Sequence, residues 1–301
     1  MKYFRDSKDL KNKIYSENEI FNIPYEIELY KDKNLNKYFS KTSLNFIKLK
    51  IENEHKFDEE IKTGKINLLL NNSKSFISYK KNKSLIEFSL FDKLEDSNFF
   101  YNGMFNLNPF YSSFNGNTQN LNLENLFISN SFLSQLLKTE ILNNKNIEFD
   151  LNINAEKFYN NFNFLNIKLN SKIKEGLIDF DNTEFQWKNF ADFKLVNSLI
   201  FVKNGELFLD GKLDVSITNR DELYKYLLTP KKYRIPIKKI DFNFSYNFDQ
   251  KIMSLSDIKI DDKYNQKINK EINNIILKDN NFHNKIYLKN FLNDSLKSYS
   301  G

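Results

Sequence analysis

Side chains able to do chemistry are sparse in this chain. There are two histidines, His55 and His283, far apart and each set among polar residues, the setting of a solvated imidazole. Cysteine is absent, which removes disulfides, thiolate metal sites and thiol nucleophiles. No His-Glu-x-x-His zinc helix, Gly-rich phosphate loop or Gly-x-Ser-x-Gly elbow occurs. Carboxylates do fall in pairs, Glu148 with Asp150 and Asp179 with Asp181. Spacing of i, i+2 on a strand puts both acids on one face, which is what a glycosidase would need. Their neighbours are those of a wet strand face, so they read as solvated acids. Trp187, the single tryptophan, continues the face of Phe185 and reads as core rather than as a sugar platform. The expectation is a chain with no catalytic residues, no metal and no cofactor.

What the sequence offers instead is alternation. Leu207, Leu209, Leu213, Val215 and Ile217 fall on one side of a segment whose other side is Glu206, Asp210, Lys212, Asp214 and Ser216. Ile240, Phe242, Phe244, Tyr246 and Phe248 alternate in the same way with Asp241, Asn243, Ser245 and Asn247. Period two is the pattern of a strand with one dry and one wet face. Similar runs recur at Phe21–Leu29, where Pro24 suggests an edge strand, and at Leu44–Ile51, where a change of phase suggests a bulge. Further runs lie at Ile66–Leu70, Phe76–Tyr79, Ile86–Leu90, Tyr101–Leu107, Ile147–Ile153, Phe162–Ile173, Gly176–Phe180, Phe185–Trp187, Phe193–Val202 and Ile252–Ile260. A second phase change falls between Phe164 and Leu165. Helical spacing is confined to Phe127–Leu142, to Asp221–Leu228 with its acidic first turn and Pro230 beyond, and to two stripes after Asp261. Met1–Glu19 is polar and reads as a helix or a frayed arm.

These segments predict a mainly β fold, a long, curved and twisted antiparallel sheet with a few short helices and C-terminal helices. Long strands that switch phase suit strong curvature, and periodicity leaves a barrel, a sandwich and an open gutter all possible. Residues 1–262 would form the β domain and 263–301 a helical segment. Phe 30 and Tyr 16 in 301 residues exclude a disordered chain. Gly 7 and Pro 4 disfavour hairpins built on Asn-Gly and leave many turns to Asn. The net charge of +6 reads as a Lys-rich solvated surface without a nucleic-acid patch. No apolar run reaches the roughly 20 residues of a membrane-spanning helix, and charged residues run through Met1–Asn22 in place of a signal peptide.

From about Gly103 to Asp261 the order of elements resembles the C-terminal part of AsmA-like envelope proteins, relatives of TamB. The resemblance is carried by Gly-Met-Phe-Asn-Leu-Asn-Pro-Phe at Gly103–Phe110 and by the loop and helix at Leu121–Leu142. Glu175–Phe180 and Phe185-Gln186-Trp187 follow, then Asn204–Leu207, Asp210–Leu213 and the helix at Asp221–Leu228. The resemblance implies a β-groove that binds or transfers phospholipid in the bacterial envelope and contributes to outer-membrane assembly or homeostasis. It implies residence in the periplasm, with anchorage to the inner membrane through a segment absent from this chain.

On this reading Phe149, Leu151, Ile153, Ile167, Leu169, Phe185, Trp187, Leu207, Leu209, Leu213, Val215, Phe242, Phe244 and Tyr246 line the groove and touch acyl chains. The expected partners are a phospholipid or other acyl lipid and a membrane surface or envelope protein, with no nucleic acid. The rival reading is a closed β scaffold that recruits an envelope partner through its edge strand. A carbohydrate hydrolase comes third.

Overall fold

The computed structural model describes residues 2–6, 11–20, 23–32, 34–45, 48–58, 61–70, 73–92, 99–122, 134, 137–138, 140, 143, 145–159, 161–264, 266–272, 277–278 and 285–300. The fold is mainly β and antiparallel, with few and short helices. The chain divides into two compact units, Met1–Gln119 and Asn120–Gly301. That division lies well before residue 262, and the C-terminal helices pack within the second unit.

The first unit is a meander. Its strands are β1 (Lys2–Asp6), β2 (Lys11–Ile20), β3 (Ile23–Asp32), β4 (Lys37–Leu44), β5 (Leu49–Asp58), β6 (Ile61–Leu70), β7 (Ser73–Asn82), β8 (Leu85–Asp92), β9 (Phe99–Leu107) and β10 (Phe110–Leu121). Each pairs antiparallel with the next, without a register shift. Three expectations are corrected here. Met1–Glu19 contributes two strands, not a helix or arm. The phase change in Leu44–Ile51 is a hairpin and not a bulge: β4 stops at Leu44, Lys48 turns the chain at φ 52, and Leu49 pairs back with Leu44. Phe46 and Ile47 themselves lie outside the described residues. β3 is an inner strand, paired on both sides; Pro24 is tolerated because it pairs only with Glu19 of β2, beyond the end of β4.

Residues paired directly across an antiparallel ladder share a face, so this unbroken register sorts the whole unit. The inner face carries the row Ile14, Leu29, Ser40, Asn53, Ile66, Ile77, Leu90, Tyr101, and beside it the row Lys31, Tyr38, His55, Gly64, Tyr79, Phe88, Gly103, Phe114. The outer face carries the glutamates, in ion pairs such as Lys13–Glu28 at 3.2 Å and Lys50–Glu52 at 2.6 Å. Among the residues of this unit whose side chains the structure describes, only Ser112 and Gly116 are buried; the inner aliphatics Ile14, Ile27, Ile51, Ile66, Leu68, Ile77 and Leu90 are half-buried. That is the burial of a single sheet layer.

The inner face holds its rings flat by means of glycine. Tyr79 lies opposite Gly64, Phe88 opposite Gly103 and Tyr101 opposite Gly116. A Cβ on Gly64 would sit 2.4 Å from the Tyr79 ring, and one on Gly116 1.9 Å from the Tyr101 ring. An aromatic laid over a strand glycine covers backbone that would otherwise be bare.

The second unit contains β11 (Glu148–Phe158), β12 (Asn161–Lys174), β13 (Leu177–Asp179), β14 (Glu184–Trp187), β15 (Ala191–Lys203), β16 (Glu206–Ile217), β17 (Lys239–Asn247) and β18 (Ile252–Ile260). Two short pieces, β19 (Lys263–Tyr264) and β20 (Leu277–Lys278), pair with β18. Its helices are α1 (Arg220–Leu227), α2 (Gln266–Ile272) and α3 (Lys285–Ser300). Of the helix expected at Phe127–Leu142, Ser134, Leu137 and Lys138 are helical; Leu133, Leu136 and Ile141 lie outside the described residues, as do Ile275 and Ile276.

α1 starts where predicted: the Asn219 side chain accepts from the Glu222 N–H at 3.2 Å, and Leu228 ends it in the left-handed region at φ 59. Although glycine is scarce, two hairpins do use it, with positive φ at both Glu175-Gly176 and Asn204-Gly205.

A substitution pair separates the ring-on-glycine contacts from ordinary crowding. Gly64→Ala is expected to destabilise by about 1–3 kcal/mol, and most of that cost disappears in a Tyr79→Ala background because the obstacle is a side chain. Gly103→Ala keeps its cost in a Phe88→Ala background, since the carbonyl oxygen of Ser113 also lies 2.3 Å from the added carbon. Urea unfolding of the four variants and two backgrounds reads both outcomes.

Candidate functional site

The fourteen residues expected to line a groove all fall on one face of the second unit. Ladder partners connect them: Phe149 with Ile173, Ile153 with Leu169, Phe185 with Phe193, Phe193 with Val215, Leu213 with Phe242, Gly211 with Phe244 and Leu209 with Tyr246. One row runs Phe149, Ile173, Ile178, Ile200, Leu209, Tyr246 and Met253 across the unit.

Among the described residues four register shifts fall in this unit: one between Lys157 and Phe158, and three bulges at Asn166, Asn197 and Asp257, each with positive φ (51°, 51° and 52°). Asn and Asp enter the left-handed region more readily than other side-chain-bearing residues. The first bulge lies between Leu165 and Lys168, just beyond the change of phase expected between Phe164 and Leu165; the others bring Ile200 and Ile258 to the apolar side.

Burial divides the fourteen. Ile153, Ile167, Leu169, Trp187, Leu207 and Val215 are buried, Leu207 completely at 0% exposure. Phe149, Leu151, Phe185, Leu209, Leu213, Phe242, Phe244 and Tyr246 are half-buried.

Three clusters show what the protein itself packs on this face. Leu207 sits with Leu137, Ile173, Ile178 and Ile200, with Phe149 and Leu209 against them. Trp187 sits with Phe190 and with Leu223 and Leu227 of α1, its ring edge-on to Phe190 and Tyr226 at 5.7 Å each. Ile258 and Ile260 pack on Ile268 of α2, with Phe242 and the α3 residues Phe291, Leu296 and Tyr299. Leu207 and Trp187 are therefore packed by protein. Leu151, Leu213, Phe244 and Tyr246 belong to none of these three clusters.

Polar side chains close the covered parts. Asn269 is buried, and its amide pairs with both the N–H and the C=O of Ile258, each at 2.8 Å, as a neighbouring strand would. Asn293 of α3 donates to the Leu227 carbonyl at 2.6 Å and accepts from the Thr229 hydroxyl at 2.6 Å, holding α3 to the end of α1. Asp249 accepts from the Leu207 N–H at 2.8 Å and from Lys138.

The pair Asp179 and Asp181 does other work than expected. Asp179 ends β13, and Asp181 lies in the turn beyond it. One Asp181 oxygen accepts from both the N–H and the hydroxyl of Ser198 at 2.7 Å, and the Ser198 hydroxyl accepts from the Phe180 N–H. Thr183 and Asn170 exchange two similar bonds. These contacts replace ladder bonds where β13 and β14 part, so Asp181 is a stitch and not a solvated acid. Burial holds the Asp179 carboxyl above its usual range.

His55 is not solvated either. It stacks on Tyr38 at 5.3 Å on the inner face of the first unit. Burial, then the positive charge of Lys62, push its pKa down to about 4. His283 lies outside the described residues. Among the described residues no group of three or more His, Asp or Glu side chains is placed to hold a metal ion. A shallow cleft of about 520 Å³ lies in the first unit, with Ser78, Lys80, Glu87 and Asn102 of the outer face in its lining; it includes none of the fourteen residues.

The aromatic cluster of Phe158, Phe164, Phe185 and Phe193, with Phe185 and Phe193 stacked at 4.9 Å, was only half anticipated. Its signal was present as three phenylalanines in Phe158–Phe164, obscured there by the bulge. No family model, curated protein or solved structure matches the chain.

A histidine whose folded pKa is depressed favours the folded state above its unfolded value near 6.5 and disfavours it as pH falls towards 4. The His55 imidazole is expected to stay neutral in an NMR titration down to pH 5, with His283→Gln used for assignment. His55→Gln is expected to flatten the loss of stability between pH 6.5 and 4. A His55 midpoint near 6.5 would show that its ring is solvated.

Proposed function

We propose that this chain is a non-enzymatic lipid-binding or phospholipid-transfer module of the bacterial envelope, of the AsmA-like kind. One observation carries the reading. The apolar face of the second unit is continuous by register from β11 to β18, yet Leu151, Leu213, Phe244 and Tyr246 stay half-buried along it. Aliphatic and aromatic residues left half in water on a sheet face retain free energy to be gained from an apolar occupant, at about 25 cal/mol per Å² covered. Acyl chains suit such a face because they need no directional partners. At about 0.8 kcal/mol per methylene they are held firmly and can still slide. On this reading the face works by shape and dryness, and the protein contributes to outer-membrane assembly or homeostasis from the periplasm.

The test is the lipid content of the purified protein, read by organic extraction and native mass spectrometry. Acyl lipid is expected in the wild type. Leu213→Lys and Phe244→Lys are expected to fold while losing most of that lipid, because both positions already meet solvent. Leu207→Lys is expected to unfold the second unit; even Leu207→Ala should cost about 2–5 kcal/mol. A folded, lipid-free wild type, or a lipid load untouched by either mid-face lysine, would overturn the proposal.

A further inference from the structure

The inner face of the first unit has a polarity of its own, running along the strands. At one level are Ile27, Thr42, Ile51 and Leu68; the next holds Ile14, Leu29, Ile66, Ile77 and Leu90, interrupted by Ser40 and Asn53. Then comes the ring row of Tyr38, His55, Tyr79, Phe88 and Phe114. Tyr38 stacks on His55 at 5.3 Å and Phe88 lies 5.9 Å from Phe114, while Tyr79 donates to Asn53 of the preceding level at 3.0 Å.

Beyond the rings, Lys62 of β6 and Lys81 of β7 stand directly opposite each other, with Ile86 and Phe105 continuing their row. Like charges opposed on a ladder are unfavourable, and burial together with Lys81 lowers the pKa of Lys62. Lys31 lies on the same face, over the Tyr38 ring at 4.7 Å.

Charge sign is sorted between the faces. Glu17, Glu19, Glu26, Glu28, Glu52, Glu54 and Glu87 all map to the outer face by register. Among the residues of β2 to β9 whose side chains are described, every acid falls on the outer face.

Aliphatic, then aromatic, then cationic is the order of environments that an anionic amphiphile passes through from tail to head, with rings favoured at the junction. Leu68 to the ring level at Gly64 is four residues of strand, about 13 Å, against about 15 Å of hydrocarbon in one bilayer leaflet, and Lys62 lies one level beyond.

We infer that the first unit binds a lipid with a net-negative headgroup, its acyl chains on the Ile66–Ile77–Leu90 side and its head between Lys62 and Lys81. This rests on the lipid-binding reading above and adds the charge class of the lipid and the residues that select it. The selecting residues act by position on one face, so their effect differs from that of net charge.

The experiment incubates the full chain with vesicles of phosphatidylglycerol or of phosphatidylcholine, re-isolates it, and counts bound lipid by native mass spectrometry. Phosphatidylglycerol is expected in at least fivefold excess, the weight of about one lysine near an anionic lipid. Lys62→Gln/Lys81→Gln is expected to bring it down to the phosphatidylcholine level, with phosphatidylcholine loading unchanged as the measure of folding. Lys65→Gln/Lys80→Gln removes the same charge from the outer face of the same strands and is expected to keep the preference. Equal loading of both lipids by the wild type, or equal loss in the two double variants, overturns the inference and leaves the lipid-binding reading standing. Loading of neither lipid overturns both.

Discussion

Everything in this protein depends on register. With a side-chain period of two, a slip of one residue in any ladder would carry that strand's apolar residues to the wet face. In the first unit the nine pairings from β1 to β10 hold without a shift. One local rule, applied nine times, is enough to build an apolar face many strands wide. It also decides where charge goes, since the glutamates that alternate with the apolar residues are all sent to the other side.

The second unit meets a different demand and breaks the rule in four places, three of them bulges with a left-handed residue. An extra residue at Asn166, Asn197 or Asp257 bends its strand and resets the phase. Each bulge forfeits ladder bonds, and side chains restore them: Asp181 and Ser198 beside the second, Asn269 on Ile258 beside the third. A buried backbone group without a partner costs about 1–3 kcal/mol, so these asparagines, serines and aspartates are part of the architecture. Helices then cover selected parts of the face, with α1 and α3 over Trp187 and α2 and α3 over Ile258 and Ile260.

Much of this was legible in the sequence because alternation is a local signal. The mainly β class, most strands, α1 with its acidic first turn and the shared face of all fourteen predicted residues follow from period two and helix-end chemistry. What was not legible depends on neighbours that no window contains. Lys11–Ile20 alternates too weakly to announce a strand, and becomes one because β3 offers it a ladder. A phase change reads the same whether it is a bulge, as at Asn166, or a hairpin, as at Lys48; only the partner strand distinguishes them. His55 lies among polar residues in sequence, yet half of those point through the sheet, and its actual neighbours are Tyr38 and Lys62. Trp187 and Leu207 alternate as faithfully as Leu213 does, and only the helices and Leu137 set them apart as core.

A sheet face left half in water has a thermodynamic consequence that a closed core does not. In a sandwich, the second layer removes apolar surface from water at folding and the gain is fixed. Here part of that gain is withheld, because the inner aliphatics of the first unit and the mid-face residues of the second stop at half burial. The withheld part is available to whatever covers the face, and any occupant that binds only the folded sheet must stabilise it in proportion to its affinity and concentration. Stability and occupancy are then one quantity seen from two sides. The flat rings over Gly64, Gly103 and Gly116 fit that logic. They shield backbone in the empty sheet without standing up from it, so they protect the ladder while leaving the face low enough to be covered by something else.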